Sequence, residues 1–198
     1  MKKIITLSIL TLMLTTLKAQ ENVAPKEDQI NSALLAAPEE RRENATVLGY
    51  NEKGEVIVLK KGSNELICLA DYPFDKSFSV ACYHKDLDPF MARGRVLKKE
   101  GKTHQEKFEI REKEAKAGTL KMPDHAATLY LLYGKEAAYD AKTKTVVNGV
   151  YRWVVYIPWA TPESTGLPTY PMVPGGPWIM NPGTHKAHIM VTPPAVKK

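Results

Sequence analysis

The spacing of apolar residues divides the chain into segments of different period. Residues 4–17 form one unbroken run whose only polar members are Ser and Thr. In 27–37, Ile30, Ala33, Leu34 and Ala37 recur at helical spacing until Pro38, which predicts a short amphipathic helix. From Ala45 the period shortens to that of a strand. Thr46-Val47-Leu48-Gly49-Tyr50 and Glu55-Val56-Ile57-Val58-Leu59 flank a polar connector ending in Gly54, the pattern of a hairpin. Lys60-Lys61-Gly62-Ser63-Asn64 then leads into a second strand pair, 65–70 and 78–84, so four consecutive strands are expected as an antiparallel meander.

Helical spacing returns after His84. Asp88 is placed to cap a helix opening at Pro89 and carrying Phe90, Met91, Ala92, Val96 and Leu97. Thr103 and Glu106 have the spacing of a capping box, with Gly118 as the stop. Lys107-Phe108-Glu109-Ile110-Arg111 also alternates strictly, so helix and strand both stay open over 103–117. Strands are predicted at 127–133, 151–157 and 187–192, with 140–149 as a polar excursion that reads as a small hairpin tip. Runs of strands set apart from the helices indicate an α+β fold. The expected form is a mainly antiparallel sheet of about six or seven strands, with helices near 27–37 and 88–117 packed to one side.

The opening run changes the reading of location. Lys2 and Lys3 precede it and Leu17-Lys18-Ala19 ends it on a small residue, which is the layout of a secretory signal peptide. The run is too short for a bilayer span of about twenty residues. The expected organisation is therefore a signal peptide over 1–19, a leader and short helix over 20–44, and one α+β domain over 45–198, with no transmembrane segment in the mature chain and a periplasmic or secreted location. Loss of Lys2, Lys3 and Lys18 would remove three of the formal +6 charges. The remaining basic residues interleave with acids, as in Arg111-Glu112-Lys113-Glu114, which is a solvated face and not a nucleic-acid track.

An oxidising compartment makes pairing of Cys68 and Cys82, the only cysteines, the expectation. A hairpin folded about position 75 sets them opposite each other, and closing that loop would stabilise the fold by about 3 kcal/mol. The rival reading is a reactive thiolate, because Cys82 and His84 alternate onto one strand face.

Between 158 and 186 the sequence follows neither period and is rich in proline, yet it holds Trp159, Tyr170, Met172, Trp178 and Met180. A loop this long with aromatic residues is expected to be ordered, either as a lid over a ligand or as a wrap along a sheet edge. Of the five histidines, His125 lies just before a strand, His188 lies in the last strand, and His185 adjoins it. Their spacing matches no metalloprotease helix, so no metal site is assigned. Ser164 lacks the glycine-flanked elbow of a hydrolase nucleophile.

Thr46-Val47 after a short helix, the two cysteines around an acidic loop with proline, Gly166-Leu167-Pro168-Thr169, Gly175-Gly176-Pro177, and Gly183-Thr184 followed by Ala187-His188-Ile189-Met190-Val191 resemble a group of secreted bacterial proteins of unknown function. The resemblance covers most of the mature chain and implies no activity. Within it His188 belongs to the shared run and His185 does not, which weakens a two-histidine metal site.

Three functions of different kinds fit these features. The first is non-catalytic binding of a small molecule by Trp159, Tyr170, Trp178, His188 and His125 under the proline-rich loop, with no cofactor. The second is a hydrolase using His125, His188 and an acid from Asp124 or Glu163. The third is a structural or envelope-interaction protein.

Overall fold

The computed structural model describes residues 23–193. The predicted signal peptide and the terminal Lys197 and Lys198 lie outside the described residues. No helix among the described residues is long and apolar enough to cross a membrane.

The class is α+β, built on an eight-stranded, mainly antiparallel sheet. Helix α1 (Lys26–Leu34) precedes strands β1 (Thr46–Tyr50), β2 (Val56–Lys60), β3 (Leu66–Leu69) and β4 (Phe78–His84). Helices α2 (Asp88–Lys99) and α3 (His104–Lys116) follow, then β5 (Ala127–Gly134), the small hairpin β6 (Ala138–Asp140) and β7 (Thr145–Val147), and β8 (Val150–Tyr156). The segment read as aperiodic contains a short helix α4 (Pro162–Thr165) and a strand β9 (Trp178–Met180) before the last strand β10 (His188–Val191). The order across the sheet is β2-β1-β3-β4-β5-β8-β10-β9.

The first four strands depart from the expected meander. β1 pairs with β2 as a hairpin but with β3 in parallel, so β2 stands at the edge. The loop 61–64 therefore crosses the entry to β1 instead of turning tightly. Backbone N–H groups of Ser63 and Asn64 both donate to the Asn44 carbonyl, and the Asn64 amide donates to the Arg41 carbonyl. Gly62 makes the crossing sterically feasible: a Cβ there would sit 2.3 Å from the Ala45 carbonyl carbon and from Asn44 O.

The helices divide between the two faces of the sheet. In β4, Val80, Ala81, Cys82 and Tyr83 are buried in succession, the mark of a strand covered on both sides. One set packs with Val47, Cys68 and Leu132 under Ala33, Ala36 and Ala37 of α1 and its following turn. Gln29 pins α1 there by exchanging two hydrogen bonds with the backbone of Tyr50, at 2.8 and 3.1 Å. The other set packs with Leu129, Val154, Tyr156 and Met190 under Leu87 and Phe90 at the start of α2. Packing on one side, as expected from sequence, would have left one of these rows in water.

Helix α3 carries no fully buried residue and resolves the ambiguity over 103–117 in favour of helix. Thr103 and Glu106 form the expected capping box. The helix is held by polar contacts where apolar burial is absent. Arg93 of α2 donates to both oxygens of Glu114, and the Arg111 guanidinium lies 4.0 Å over the Phe90 ring. Asp88 does not cap α2 with its side chain. Its carboxylate instead accepts from the Tyr83 hydroxyl at 2.9 Å and from Arg95 at 3.3 Å.

Cys68 and Cys82 are cross-strand neighbours in β3 and β4 and form a disulfide, with Cα atoms 3.9 Å apart. With both sulfurs in the bond, the reading of Cys82 as an activated thiolate beside His84 is overturned.

Candidate functional site

The antiparallel register of β4 and β5 brings the C-terminal end of one beside the N-terminal start of the other, because Tyr83 pairs with Leu129. His84 leaves β4 at this end, and the turn before β5 delivers Asp124 and His125 to the same place. The two imidazoles meet edge to face with centroids 5.5 Å apart. A 3₁₀ turn at Lys85–Leu87 continues from His84, whose Nδ1 accepts the Asp86 N–H at 3.2 Å. That turn aims the Asp86 carboxylate back at both rings: its Oδ2 lies 3.6 Å from His84 Nδ1 and 3.3 Å from His125 Nε2. On its far side His125 Nδ1 meets Asp124 Oδ1 at 3.0 Å. This bond to His125 holds the Asp124 carboxyl below its ordinary value.

His125 also forms one wall of a cleft of about 520 Å³ lined by Met122, Asp124, Ile157, Pro158 and Trp159. Trp159 reaches it through an unusual backbone. Its φ is 69°, in the left-handed region that a bulky side chain avoids. The turn is fixed by three bonds to the chain entering β10: Ile157 N–H to the Ala187 carbonyl, Trp159 N–H to the Thr184 carbonyl at 2.8 Å, and Gly183 N–H to the Ala160 carbonyl at 2.7 Å. Strain of this sort costs about 1–3 kcal/mol and concentrates at functional sites. Trp159 as a whole is 41% exposed, so burial of the residue does not account for the conformation.

The other aromatic candidates lie elsewhere. Trp178 lines a separate hollow of about 350 Å³ with Pro171, Val173 and Gly176. Tyr170 projects into solvent. The proline-rich segment therefore does not gather Trp159, Tyr170 and Trp178 over one pocket. Its middle instead borders the sheet, where Ile179 N–H of edge strand β9 donates to the Pro168 carbonyl.

His188 is buried on the face covered by α2. Its ring stacks on Tyr156 at 5.0 Å, and Nδ1–H donates to the Lys186 carbonyl at 2.6 Å. That anchor is two residues away; no hydrogen bond joins the ring to His125 or to 158–181 among the described residues. Burial pushes its imidazole below the usual value. His185, fully enclosed, lies between Phe90 and Phe108 and bonds Glu112. Ser164 and Thr161 cap α4 reciprocally, and Glu163 in that helix is exposed. Of the hydrolase set, Asp124 meets His125, while His188 and Glu163 make no hydrogen bond to either among the described residues.

Sequence reasoning named His125, Asp124 and Trp159 and missed His84 and Asp86 as their partners. In sequence His84 stands out only beside Cys82, and the strand register that carries it to His125 has no local signature. No family model, curated protein or solved structure matches the chain.

Proposed function

We propose that this is a secreted or periplasmic bacterial protein that binds a small organic molecule in the cleft between Trp159 and His125. The observation that carries this reading is Trp159 itself, held with positive φ by a stapled turn so that a partly exposed indole faces an imidazole across an open cleft. A flat apolar body would lie on the indole while a polar end meets His125 and Asp124, the division of labour usual in ligand sites. Three other hollows of similar size, about 430 and 520 Å³ beside α1 and about 470 Å³ between α2 and the β1–β2 hairpin, contain no histidine. The disulfide supports export, because such bonds persist in oxidising compartments. The amino-terminal run of residues 4–17 supports it independently.

The test is intrinsic fluorescence during titration with a panel of metabolites. A ligand should produce a response that is lost in Trp159→Phe and kept in Trp178→Phe. A response that survives Trp159→Phe, or a panel with none, would remove the cleft as the binding site.

Within 158–186, the stretch around Pro168 that covers edge strand β9 favours a second role for the segment. The Ile179 bond to Pro168 and the burial of Ile179 close an otherwise open sheet edge.

A further inference from the structure

We propose that His84, Asp86 and His125 bind a divalent first-row transition ion of the Zn²⁺ class, with Asp124 orienting His125. One ligand atom from each of the three residues lies within 4.8 Å of the other two. A tetrahedral Zn²⁺ with bonds of about 2.0–2.1 Å separates its ligand atoms by about 3.3–3.4 Å. Asp86 Oδ2 stands 3.3 Å from His125 Nε2 and 3.6 Å from His84 Nδ1, so two edges of that tetrahedron are already near their required length. The third, between His84 and His125, is no longer than 4.8 Å and would shorten by rotation of the two side chains.

The fourth residue makes the arrangement more than an ion pair. Asp124 Oδ1 meets His125 Nδ1 at 3.0 Å, so a proton held on Nδ1 by Asp124 would let Nε2, which faces Asp86, give its lone pair to the ion. A carboxylate behind a histidine, fixing its tautomer and raising its basicity, recurs at metal-binding imidazoles. Coordination through His84 Nδ1 would replace its 3.2 Å bond from the Asp86 N–H. Two nitrogens and one oxygen select transition ions over Ca²⁺ and Mg²⁺, which take oxygen ligands. Three protein ligands leave a fourth position open, and His125 is shared with the Trp159 cleft. The site rests on its own geometry and stands whether or not the cleft binds an organic molecule.

The experiment is isothermal titration of untagged, EDTA-dialysed protein with ZnCl₂, repeated with Co²⁺ by visible absorption. One ion per chain is expected, with a tetrahedral-type cobalt spectrum. His84→Ala and His125→Ala should each weaken binding at least tenfold, and Asp124→Ala by about tenfold. His104→Ala should leave it unchanged. The thermal midpoint of each metal-free variant separates loss of ligand from loss of fold, and exposed His125 carries the test if His84→Ala does not fold. Absence of zinc uptake, or uptake that persists unchanged in His125→Ala, would overturn the site. Trp159→Ala should retain the ion, and an organic-ligand response that persists in EDTA would leave the cleft reading intact if the metal site fails.

Discussion

Glu112 takes both polar groups that His185 presents to α3: Oε2 accepts the His185 backbone N–H at 2.9 Å and meets its Nδ1 at 2.5 Å. The same carboxylate pairs with Lys116 at 2.7 Å. Burial alone would raise the Glu112 carboxyl, but the bonds from Lys116 and His185 outweigh it and bring it down to about 2. One acid on a helix without buried apolar residues therefore ties α3 to the loop that enters β10.

Removing that acid should be costly. Glu112→Ala leaves a fully enclosed imidazole and a backbone N–H without their partner, for a loss of about 3 kcal/mol. Glu112→Gln keeps one acceptor oxygen and should lose less. Urea unfolding at neutral pH, comparing the two variants with the parent, measures both. Equal stability of Glu112→Ala and the parent would mean that α3 is held by Arg93, Arg111 and Phe108 alone.

Stability should fall on acidification below about pH 6.5. Burial depresses the imidazoles of both His185 and His188; the Glu112 bond opposes this at His185 and the Lys186 carbonyl opposes it at His188. A folded value below the unfolded 6.5 means that the unfolded chain takes up protons first as pH drops. The contribution is complete above the unfolded value and is lost as pH falls through the folded one. Asp71 works in the other direction: burial raises its carboxyl from 3.8 to about 6, despite the bond from the Ser79 N–H. Its protonation on folding favours the native state below about 6, and its ionisation above about 6 opposes that state.

Asp71→Asn separates these opposing slopes. Asparagine keeps an oxygen for the Ser79 N–H and removes the buried charge. The variant should exceed the parent in thermal midpoint at pH 8, match it more closely at pH 5, and lose stability more steeply between them. A lower midpoint than the parent at pH 8 would mean that Lys98 compensates the Asp71 charge more than burial disfavours it.

The elements most legible in the sequence are those fixed by local chemistry. Pro38 stops the first helical turn pattern, Gly54 closes the first hairpin, and Thr103 with Glu106 opens α3; each rule needs only a few neighbouring residues. The pairing of Cys68 with Cys82 was legible for the same reason, since symmetry about position 75 fixes the register. What was not legible depended on chain segments meeting at a distance. The insertion of β1 between β2 and β3 is enforced by Asn44 and Gly62 meeting across the loop. β9 is short and takes its partners from β10, and nothing in Trp178-Ile179-Met180 announces it. His84 and His125 come together only through the β4–β5 register, so the pair left no spacing motif to read. The burial of both β4 faces is written in Val80-Ala81-Cys82-Tyr83, an apolar run without alternation.

Removal of the disulfide should lower stability by about 3 kcal/mol without disturbing the cleft or the His84–His125 cluster. Cys68 and Cys82 sit under α1, on the face opposite Tyr83 and α2, where the Cys82 sulfur lies 3.2 Å from the Ala33 carbonyl. The double variant Cys68→Ala with Cys82→Ala is the appropriate one, because a single change leaves a free thiol. Denaturant unfolding reads the loss, and zinc titration of the folded variant should match the parent. A double variant as stable as the parent would mean that the α1 packing alone holds β3 and β4 together.

The strain at Trp159 can be isolated from the contacts of its side chain. Trp159→Ala and Trp159→Gly both delete the indole, so both lose the same ligand surface and the distant approach of Lys116, 6.0 Å from the ring. They differ in the backbone: alanine still carries the Cβ that disfavours a φ of 69°, and glycine does not. The glycine variant should therefore be the more stable of the two by about 1 kcal/mol, even though glycine in an ordinary position is destabilising relative to alanine. Paired thermal or urea unfolding measures the difference. If alanine is as stable as glycine, the turn at 157–160 is not strained in solution, and Trp159 is not held under tension for binding.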